Sequence, residues 1–229
     1  MNIKESIRVF NEAVKPMDKT EAILTVGSGL SNTSKMPSFS FNLSALDCVT
    51  GSKLVDVKGS VCFGCYALKG SYRRYKHIYK MQPKTEKIDN EKWVEAMVYL
   101  IEHQGNTKDR KFFRWHDSGD IQSLQHLRKI VLVCEDTPNV KHWLPTREYK
   151  LIKMYLKIWK KFPTNLTVRL SAHMIDQKAP KIANLPTSTV NKDKLAVGTQ
   201  CESYKQENQC LDCRKCWDKS ETNISYKYH

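Results

Sequence analysis

The central part of the chain alternates between strand-like and helix-like spacing of its hydrophobic residues. Short apolar or alternating runs predict strands at four places, 39–43, 111–115, 140–144 and 166–170. Apolar residues at helical spacing predict helices between them, over 91–102, 121–134 and 149–159. A last strand is expected to begin near Thr189.

Strands and helices that alternate at this spacing are typical of βαβ units around a parallel sheet. Right-handed crossovers then make all strands run in the same direction. We therefore expect an α/β fold, either a partial (β/α) barrel or an open parallel sheet. The predicted division is an N-terminal lead-in (1–35), an α/β core with the first cysteine site (36–191) and a cysteine-rich, mostly irregular C-terminal metal-binding segment (192–229).

Two further helices are predicted outside these units, a weak one over 3–14 and another from Cys62 to about Lys80. The second would carry tyrosines on one face and basic side chains on another, namely Tyr72, Tyr75 and Tyr79 against Arg73, His77 and Lys80. Aromatic and basic side chains together suit single-stranded nucleic acid. The commoner arrangement is an amphipathic helix whose tyrosines pack on the sheet.

Composition and charge narrow the class of protein. Hydrophobic residues make up 40% of the 229 and charged residues 27%, as in soluble globular proteins. No run approaches the ~18 apolar residues of a membrane span, and Met1–Met17 lacks the apolar core of a signal peptide. We therefore expect a cytoplasmic protein without a membrane partner. Its formal net charge is +14, from 38 Lys and Arg against 24 Asp and Glu, which either attracts a polyanion such as nucleic acid or only favours solubility.

The eight cysteines are too few for a disulfide scaffold of this length. In a reducing compartment, clustered thiols are more often metal ligands or catalytic groups. Seven of the eight fall into two clusters along the chain. The eighth, Cys134, lies on the apolar stripe of the predicted 121–134 helix and is expected in the core as a small hydrophobic residue.

The C-terminal cluster has the pattern C-x8-C-x2-C-x2-C, formed by Cys201, Cys210, Cys213 and Cys216. Structural zinc usually takes two separated cysteine pairs. Three cysteines in continuous CxxCxxC spacing are instead typical of ferredoxin-like runs, in which the thiolates reach different irons of one cluster. The pattern therefore favours an iron–sulfur cluster, of the 4Fe–4S type, with zinc as the alternative.

The N-terminal cluster joins a CxxC pair, Cys62 and Cys65, to Cys48, which lies fourteen residues before Cys62. Gly51 and Gly59 allow the intervening loop to fold back, which suits three convergent ligands. Three thiolates on a four-iron cluster would leave one iron open to a substrate or cofactor. The pair could also act as a redox dithiol, and Cys201 could join this trio and leave the other three C-terminal cysteines as the open set.

Polar residues follow three predicted strands at the point where each strand ends. His116 and Asp117 follow the first, Arg147 and Glu148 the second, and His173 the third. In parallel α/β folds, function gathers at the carboxyl ends of the strands. We therefore predict a rim of catalytic residues that comprises His116, Asp117, Arg147 and His173. Helix capping accounts for some polar residues of these loops, with Asp120 and Thr146 among the candidates.

Several blocks resemble the bacteriophage proteins called gene product 88. They are CVTGSKL at 48–54, CFGCYALKG at 62–70, RWHDSGD at 114–120, HWLPTREY at 142–149, RLSAHM at 169–174 and CLDCRKCW at 210–217. The likeness runs from about Pro37 to the C-terminus. It implies a phage origin and the cytoplasm of an infected host, and it implies little about activity.

A more distant likeness links the chain to radical S-adenosylmethionine proteins, which also place three cysteines before a helix and ahead of βα units. The chain departs from their CxxxCxxC spacing and lacks a Gly-Gly-Glu segment. The likeness thus implies an iron–sulfur cluster and, for an enzyme, a radical S-adenosylmethionine-like reaction, whereas the missing segment is the one that would grip the methionine part of S-adenosylmethionine. The hypotheses are an iron–sulfur enzyme whose open cluster faces the rim, with an auxiliary cluster at the C-terminus, or a metal-stabilised protein that binds nucleic acid or a host protein without catalysis.

Overall fold

In the computed structural model, which describes residues 16–69 and 82–228, seven strands form one open sheet in which every pair is parallel. The strands are β1 (Phe39–Phe41), β2 (Phe112–Trp115), β3 (Lys141–Thr146), β4 (Leu166–Ser171), β5 (Thr187–Asn191), β6 (Thr199–Gln200) and β7 (Asn223–Lys227). They lie in the order β1-β2-β3-β4-β5-β7-β6. The predicted α/β fold with a parallel sheet is confirmed.

The described residues also contain five α-helices, α1 (Lys19–Val26), α2 (Val49–Leu54), α3 (Trp93–Glu102), α4 (Leu124–Asp136) and α5 (Tyr149–Trp159). Helices α3, α4 and α5 each connect two neighbouring strands, as the βαβ pattern predicts. No helix in the described ranges is both long enough and apolar enough to cross a membrane.

The two faces of the sheet are covered differently, and strand β2 shows the division. Phe113 and Trp115 point into the main core, where they pack with residues of α3, α4 and α5. The side chain of Phe112 lies on the opposite face, where it packs against Trp217 of the C-terminal segment. The helices therefore cover one face of the sheet, and the cysteine-rich segment covers the other.

Buried Arg169 of β4 fastens the C-terminal segment to its face of the sheet. Its guanidinium donates to the carbonyl oxygens of Thr187, Glu221, Lys215 and Asp218. Trp217 adds a hydrogen bond from its Nε1 to the carbonyl oxygen of Phe113, at 2.7 Å. The segment is thus an integral layer of the fold, although much of it is irregular.

Most predicted elements are present with small shifts at their ends. The helix predicted over 121–134 begins at Leu124, because Ser123 is its N-cap and accepts from the backbone N–H of His126. Strands β6 and β7 were not predicted, since β7 is polar and lies within the tail. It pairs with β5 over five residues.

Near the N-terminus, two predictions differ from the structure, and two others concern residues that it does not describe. Helix α1 buries Ala22 and Val26 in the main core, although it falls within the predicted lead-in. The helix predicted to begin at Cys62 does not begin there; the chain forms tight turns and a short 3-10 helix, Tyr66–Leu68, because Gly64 takes a left-handed φ of 70°. The helix predicted over 3–14 and the basic, aromatic stretch at 72–80 lie outside the described residues.

Two candidate metal centres

The segment that carries Cys48, Cys62 and Cys65 lies across the carboxyl ends of β3 and β4. Glu148, directly beyond β3, accepts two hydrogen bonds from Thr50, from its N–H at 2.8 Å and its hydroxyl at 2.9 Å. Beyond β4, the carbonyl oxygen of His173 accepts from the N–H of Val61 at 2.9 Å. Both flanks of the cysteine-bearing loop are therefore tied to the rim where the sequence predicts function.

Gly51 keeps a space clear between two of the sulfurs. A Cβ atom on Gly51 would lie 2.8 Å from the Cβ of Cys48, 3.5 Å from its Sγ and 3.9 Å from the Sγ of Cys62. Both sulfurs thus face the same point beside helix α2. Because 2.8 Å is closer than two carbon atoms normally approach, only glycine fits here without displacing Cys48.

Burial and neighbouring charges act together on these thiols. Burial, followed by the nearby Asp120 carboxylate and the thiols of Cys62 and Cys65, raises the pKa of Cys48 to about 12. Burial likewise raises the pKa of Cys62, and the Arg147 guanidinium opposes the rise at both residues. The electrostatic influence of Cys65 on both of the others places the three cysteines in one neighbourhood.

Asp120 belongs to this site although the sequence makes it only a candidate for the cap of the following helix. Its carboxylate accepts from the N–H of Ile121 at 2.8 Å, the hydroxyl of Thr146 at 2.7 Å and the N–H of Arg147 at 2.9 Å. Burial raises its pKa to about 6, and these hydrogen bonds oppose the rise. Since Ser123 caps α4, the carboxylate of Asp120 instead bridges the ends of β2 and β3 beside the cysteines.

The rim residues that follow β3 and β4 also meet at this site. The Nε of Arg147 donates to the carbonyl oxygen of Ala172 at 3.4 Å, and the Nε2 of His173 lies 3.2 Å from the carbonyl oxygen of Arg147. The His173 ring stacks on that of Tyr149, with centroids 4.3 Å apart. Arg147 and His173 are therefore brought together, next to the N-terminal cysteines.

The side chains of the two rim residues that follow β2 point elsewhere, although the hydroxyl of Tyr66 donates to the carbonyl oxygen of Asp117. His116 has a left-handed φ of 58°, and its ring is buried against Phe41 and His126 rather than at the rim. Neither of its ring nitrogens has a hydrogen-bond partner in the described ranges, and burial lowers its pKa to about 3. Asp117 accepts from the hydroxyl of Ser31 at 3.1 Å, on the β1 side. Burial raises the pKa of Asp117.

The four C-terminal cysteines form a second group on the opposite face of the sheet from the helices. The backbone N–H of Cys210 donates to Lys35, that of Cys213 to Cys210, and that of Cys201 to Ser225. Burial raises the pKa of Cys216 to about 12 and also raises that of Cys210, and Cys201 contributes to both shifts. Cys201 therefore lies with the C-terminal trio rather than with Cys48, Cys62 and Cys65.

A hydroxyl and several cations surround this second group. The Tyr226 hydroxyl lies 3.3 Å from the Sγ of Cys216. Arg169 acts electrostatically on Cys216, and Lys35 and Arg114 act on Cys210. Their positive charges lower the pKa values of these two thiols against the effect of burial.

Cys134 is separate from both groups. It lies in the main core on α4, and burial raises its pKa well above the ordinary value. Over residues 16–69 and 82–228, no three or more His, Cys, Asp and Glu side chains are arranged so that they could hold a metal ion as they stand. Metal binding by either group of cysteines thus stays a prediction.

The family comparison identifies one match. A family model described as gene product 88 matches residues 13–219. No curated protein and no solved structure matched the chain. The resemblance to gene product 88 is therefore confirmed, whereas nothing in these comparisons supports the likeness to radical S-adenosylmethionine proteins.

Proposed function

The chain belongs to the gene product 88 family, and we propose that it is a phage-encoded iron–sulfur protein with two sites. Cys48, Cys62 and Cys65 would hold an open cluster, and the four C-terminal cysteines a closed auxiliary one. The observation that carries the proposal is that Cys48, Cys62 and Cys65 lie in one neighbourhood of the rim, beside Asp120 and Arg147, with Gly51 keeping the space between two of the sulfurs clear.

Thiols are the donor type that both iron–sulfur clusters and zinc take, and metal binding here would release their protons. Burial raises the pKa of four of these cysteines, Cys48, Cys62, Cys210 and Cys216. Several acidic groups placed together in a half-buried region disfavour one another's ionised forms. A bound metal removes that conflict, because a coordinating thiol is deprotonated and its charge is compensated.

Spacing favours iron over zinc at the C-terminal group. Cys210, Cys213 and Cys216 follow one another in a CxxCxxC run, which suits the separate irons of one cluster. A tetrahedral zinc site more often draws on two separate pairs. Zinc is therefore the alternative occupant, and it would make the group structural.

The N-terminal site has the residues that an enzyme would need. A cluster held there would supply a one-electron reductant with one iron open to a ligand. Arg147 would attract the anionic part of a substrate, since its guanidinium lies close to Cys48 and Cys62. Asp120, whose pKa is raised to about 6, would hold or release a proton near neutral pH. A radical S-adenosylmethionine-like reaction is the catalytic form of this proposal.

The proposal is tested by the visible and electron paramagnetic resonance spectra of anaerobically purified protein. Brown, reducible protein with a broad visible absorption band is expected for the wild type if it holds iron–sulfur clusters. Replacing Cys62 with Ser should reduce the absorption, and replacing Cys134 with Ala should leave it unchanged because Cys134 lies in the core. Colourless wild-type protein that contains zinc would overturn the iron assignment.

The catalytic form needs its own assay. Reduced protein is incubated with S-adenosylmethionine under strict anaerobiosis, and the cleavage products are measured. Cleavage that is lost in the Cys48→Ser, Cys62→Ser and Cys65→Ser variants supports an enzyme. Unchanged cofactor in the presence of a reducible cluster would remove this reaction and leave a cluster-binding protein.

The second candidate is a metal-stabilised protein that binds nucleic acid or a host protein without catalysis. The formal net charge of +14 favours this form. The logarithm of its binding constant for single-stranded nucleic acid should fall linearly with the logarithm of salt concentration. Chelation of the metal should unfold it, with no catalytic activity to lose. Absence of binding at low salt would exclude the nucleic-acid form.

A further inference from the structure

Helix α5 presents a row of lysines to solvent, here called the lysine stripe. Its members, Lys150, Lys153 and Lys157, are exposed at spacings of three and four residues, which places them on one side of the helix. Met154 and Ile158 lie beside them on the exposed surface, with exposed fractions of 40% and 55%. Helix α5 contains no acidic residue.

The lysine stripe does not stabilise α5 by itself, because like charges three or four residues apart repel one another on a helix. Its lysines form no ion pair within the described ranges. The chain from Tyr149 to Lys192 contains eight lysines and a single acidic residue, Asp176. That carboxylate accepts from the backbone N–H groups of residues 192–194. The positive charge of α5 therefore has no counter-charge on this part of the chain.

A cavity of about 450 Å³ lies at the end of α5, within the range of about 300–1,000 Å³ that small-molecule sites occupy. Trp159, the last residue of α5, lines it together with Tyr155 and Phe162. The Tyr155 ring stacks on that of Trp159 and on that of Phe162, with centroids 4.8 Å and 4.5 Å apart. Trp159 remains 36% exposed, so a fixed stack of rings ends in an open aromatic surface.

Asn165 gives the cavity a polar group on a rigid wall. Its Nδ2 donates to the carbonyl oxygens of Cys134, Thr137 and Val140, at 2.8, 3.1 and 3.0 Å. In the part of the chain that the structure describes, the hydrogen bonds of this side chain all run through Nδ2. Its Oδ1 can therefore accept a hydrogen bond from a ligand in the cavity.

One ion pair borders the cavity on the side of α4. Glu135 and Arg128 both line it, with 3.4 Å between a carboxylate oxygen and a guanidinium nitrogen. The Arg128 guanidinium also lies 5.7 Å from the centroid of the Trp159 ring. Asp136, the last residue of α4, is exposed next to Glu135.

Two lysines and one further carboxylate complete the charges around the cavity. Lys161 lines it, and the Nζ of Lys219 donates to the carbonyl oxygen of Pro163 in its wall, at 2.9 Å. Asp218 precedes Lys219 and accepts from the N–H and the hydroxyl of Ser220. The cavity is thus close to neutral and largely aromatic, whereas the excess of positive charge lies along α5.

The cavity is remote from the rim that carries the N-terminal cysteines. Its lining residues Pro138 and Asn165 come just before strands β3 and β4, at the amino ends of these strands. The N-terminal cysteines lie across the carboxyl ends of the same two strands. Because helix α5 connects β3 to β4, it runs from that rim to the cavity.

We propose that α5 and the cavity at its end form a binding surface for single-stranded nucleic acid. The lysine stripe contacts the phosphates, and one base enters the cavity and stacks on Trp159. Positive charge along a backbone path and an open aromatic ring for a base are the two features that such ligands need. A paired base would first have to leave its duplex. An anionic membrane would also attract α5, through its lysines, Met154 and Ile158, but would make no use of the cavity.

This inference goes beyond the proposed two-cluster function and does not require metal. It also locates the nucleic-acid contact of the second candidate function.

The test is fluorescence anisotropy of a labelled single-stranded DNA oligonucleotide of mixed sequence, titrated with the full chain at several salt concentrations. The wild type should bind at low salt. In the double variant Lys153→Gln, Lys157→Gln, the slope of the logarithm of the binding constant against the logarithm of salt should become shallower by about 1.4, since two phosphate contacts are lost. The matched control is Lys19→Gln, Lys84→Gln, which changes the net charge equally at exposed lysines of α1 and of the segment before α3. Its slope should equal that of the wild type.

A second pair of variants tests the cavity. Trp159→Ala should weaken binding by roughly fivefold to one hundredfold, as loss of one stacked base implies. Trp159→Phe should retain most of the affinity, because a smaller ring can still stack. Since the lysines that are replaced in the other variant are exposed, that variant keeps the test decisive even if Trp159→Ala fails to fold.

Absence of oligonucleotide binding by the wild type would overturn the inference. Unchanged binding in the Lys153, Lys157 and Trp159 variants would overturn it too, and would place any nucleic-acid contact elsewhere on the chain. An equal loss in the Lys19, Lys84 control would show an effect of net charge alone and would contradict the surface. Binding to phosphatidylserine vesicles without binding to the oligonucleotide would identify a membrane surface instead. None of these outcomes depends on iron content, so failure of the two-cluster proposal is seen separately.

Discussion

Glu148 and Thr50 are joined by two hydrogen bonds, one from the backbone N–H of Thr50 at 2.8 Å and one from its hydroxyl at 2.9 Å. Glu148 is buried and directly follows strand β3, whereas Thr50 lies in helix α2, two residues beyond Cys48. This pair is the most direct link between the scaffold and the first cysteine of the N-terminal site.

Replacing Glu148 with Ala should loosen that link. The half-buried N–H and hydroxyl of Thr50 would lose their charged acceptor, which lowers the free energy of unfolding by about 1–3 kcal/mol. Iron retained by the N-terminal site should fall together with stability. Chemical denaturation and iron analysis measure the two effects, and Glu148→Gln is the control because its amide retains an acceptor for Thr50. Equal iron content in Glu148→Ala and the wild type would show that the link does not organise the site.

Gly51→Ala should favour helix α2 and yet reduce metal binding, because it displaces Cys48. Gly51 lies inside helix α2, where alanine ordinarily stabilises a helix by about 1 kcal/mol. The added methyl group, however, would lie 2.8 Å from the Cβ of Cys48. We therefore expect less bound metal, measured as iron per chain. Gly29→Ala is the matched control, because nothing lies within 4 Å of the added atom there. Full metal content in Gly51→Ala would contradict the placement of these sulfurs.

Three buried histidines should make the protein sensitive to acid. Burial lowers the pKa of His116 and His142 to about 3 and that of His126 well below its ordinary value. Between pH 6.5, the ordinary value, and those lower values, the unfolded chain binds more protons than the native one. The free energy of unfolding therefore falls as the pH falls, by at most about 1.4 kcal/mol per pH unit for each histidine.

The carboxyl groups of Asp117 and Asp120 have the opposite effect on the pH dependence of the free energy of unfolding. Burial raises their pKa values, so the native state binds protons at a higher pH than the unfolded chain does. His142→Gln isolates one histidine. Its free energy of unfolding should depend less steeply on pH, by about 1.4 kcal/mol per pH unit, than that of the wild type. Denaturant unfolding at several pH values measures both slopes, and parallel slopes would refute the assignment of a neutral His142.

Arg169 should be the most sensitive residue of the C-terminal layer. Arg169→Met leaves carbonyl oxygens of Thr187, Lys215, Asp218 and Glu221 without their donor. We expect a loss of roughly 3–5 kcal/mol in the free energy of unfolding, as for a broken buried network. Arg128→Met is the control, since Arg128 forms a partly exposed ion pair with Glu135 that should contribute about 1 kcal/mol or less. Similar losses in both variants would contradict the anchoring role of Arg169.

The sequence predicted the sheet well because the buried strands carry a strong local signal. Strand β4 is buried along its whole length, and α5 has an apolar stripe that matches the observed bounds. Strand β7 lacks such a signal, since Asn223 and Ser225 are buried polar residues; the amide of Asn223 donates to the hydroxyl of Thr189 in β5, and that hydroxyl donates to Ser225. Long-range pairing of that kind is invisible to local periodicity.

The candidate site was predicted in part for a similar reason. Functional residues of parallel α/β folds gather at the carboxyl ends of the strands. This rule correctly predicts that Arg147 and His173 lie together, because each follows a parallel strand directly. It failed for His116, whose left-handed backbone turns the ring into the core. Asp120 is a capping candidate by sequence, because Asp before a helix is a preferred N-cap residue. In the structure Ser123 is the N-cap of α4. The carboxylate of Asp120 instead accepts from Thr146 and Arg147 beside the cysteines.

Iron, sulfide and zinc content of anaerobically purified protein tests the central claim most directly. The account predicts about eight iron and eight sulfide per wild-type chain for two four-iron clusters, with little zinc. The Cys48, Cys62 and Cys65 triple Ser variant should retain about half of the iron, and Cys134→Ala should retain all of it. Zinc in place of iron, or the same iron content in the triple variant as in the wild type, would contradict the account.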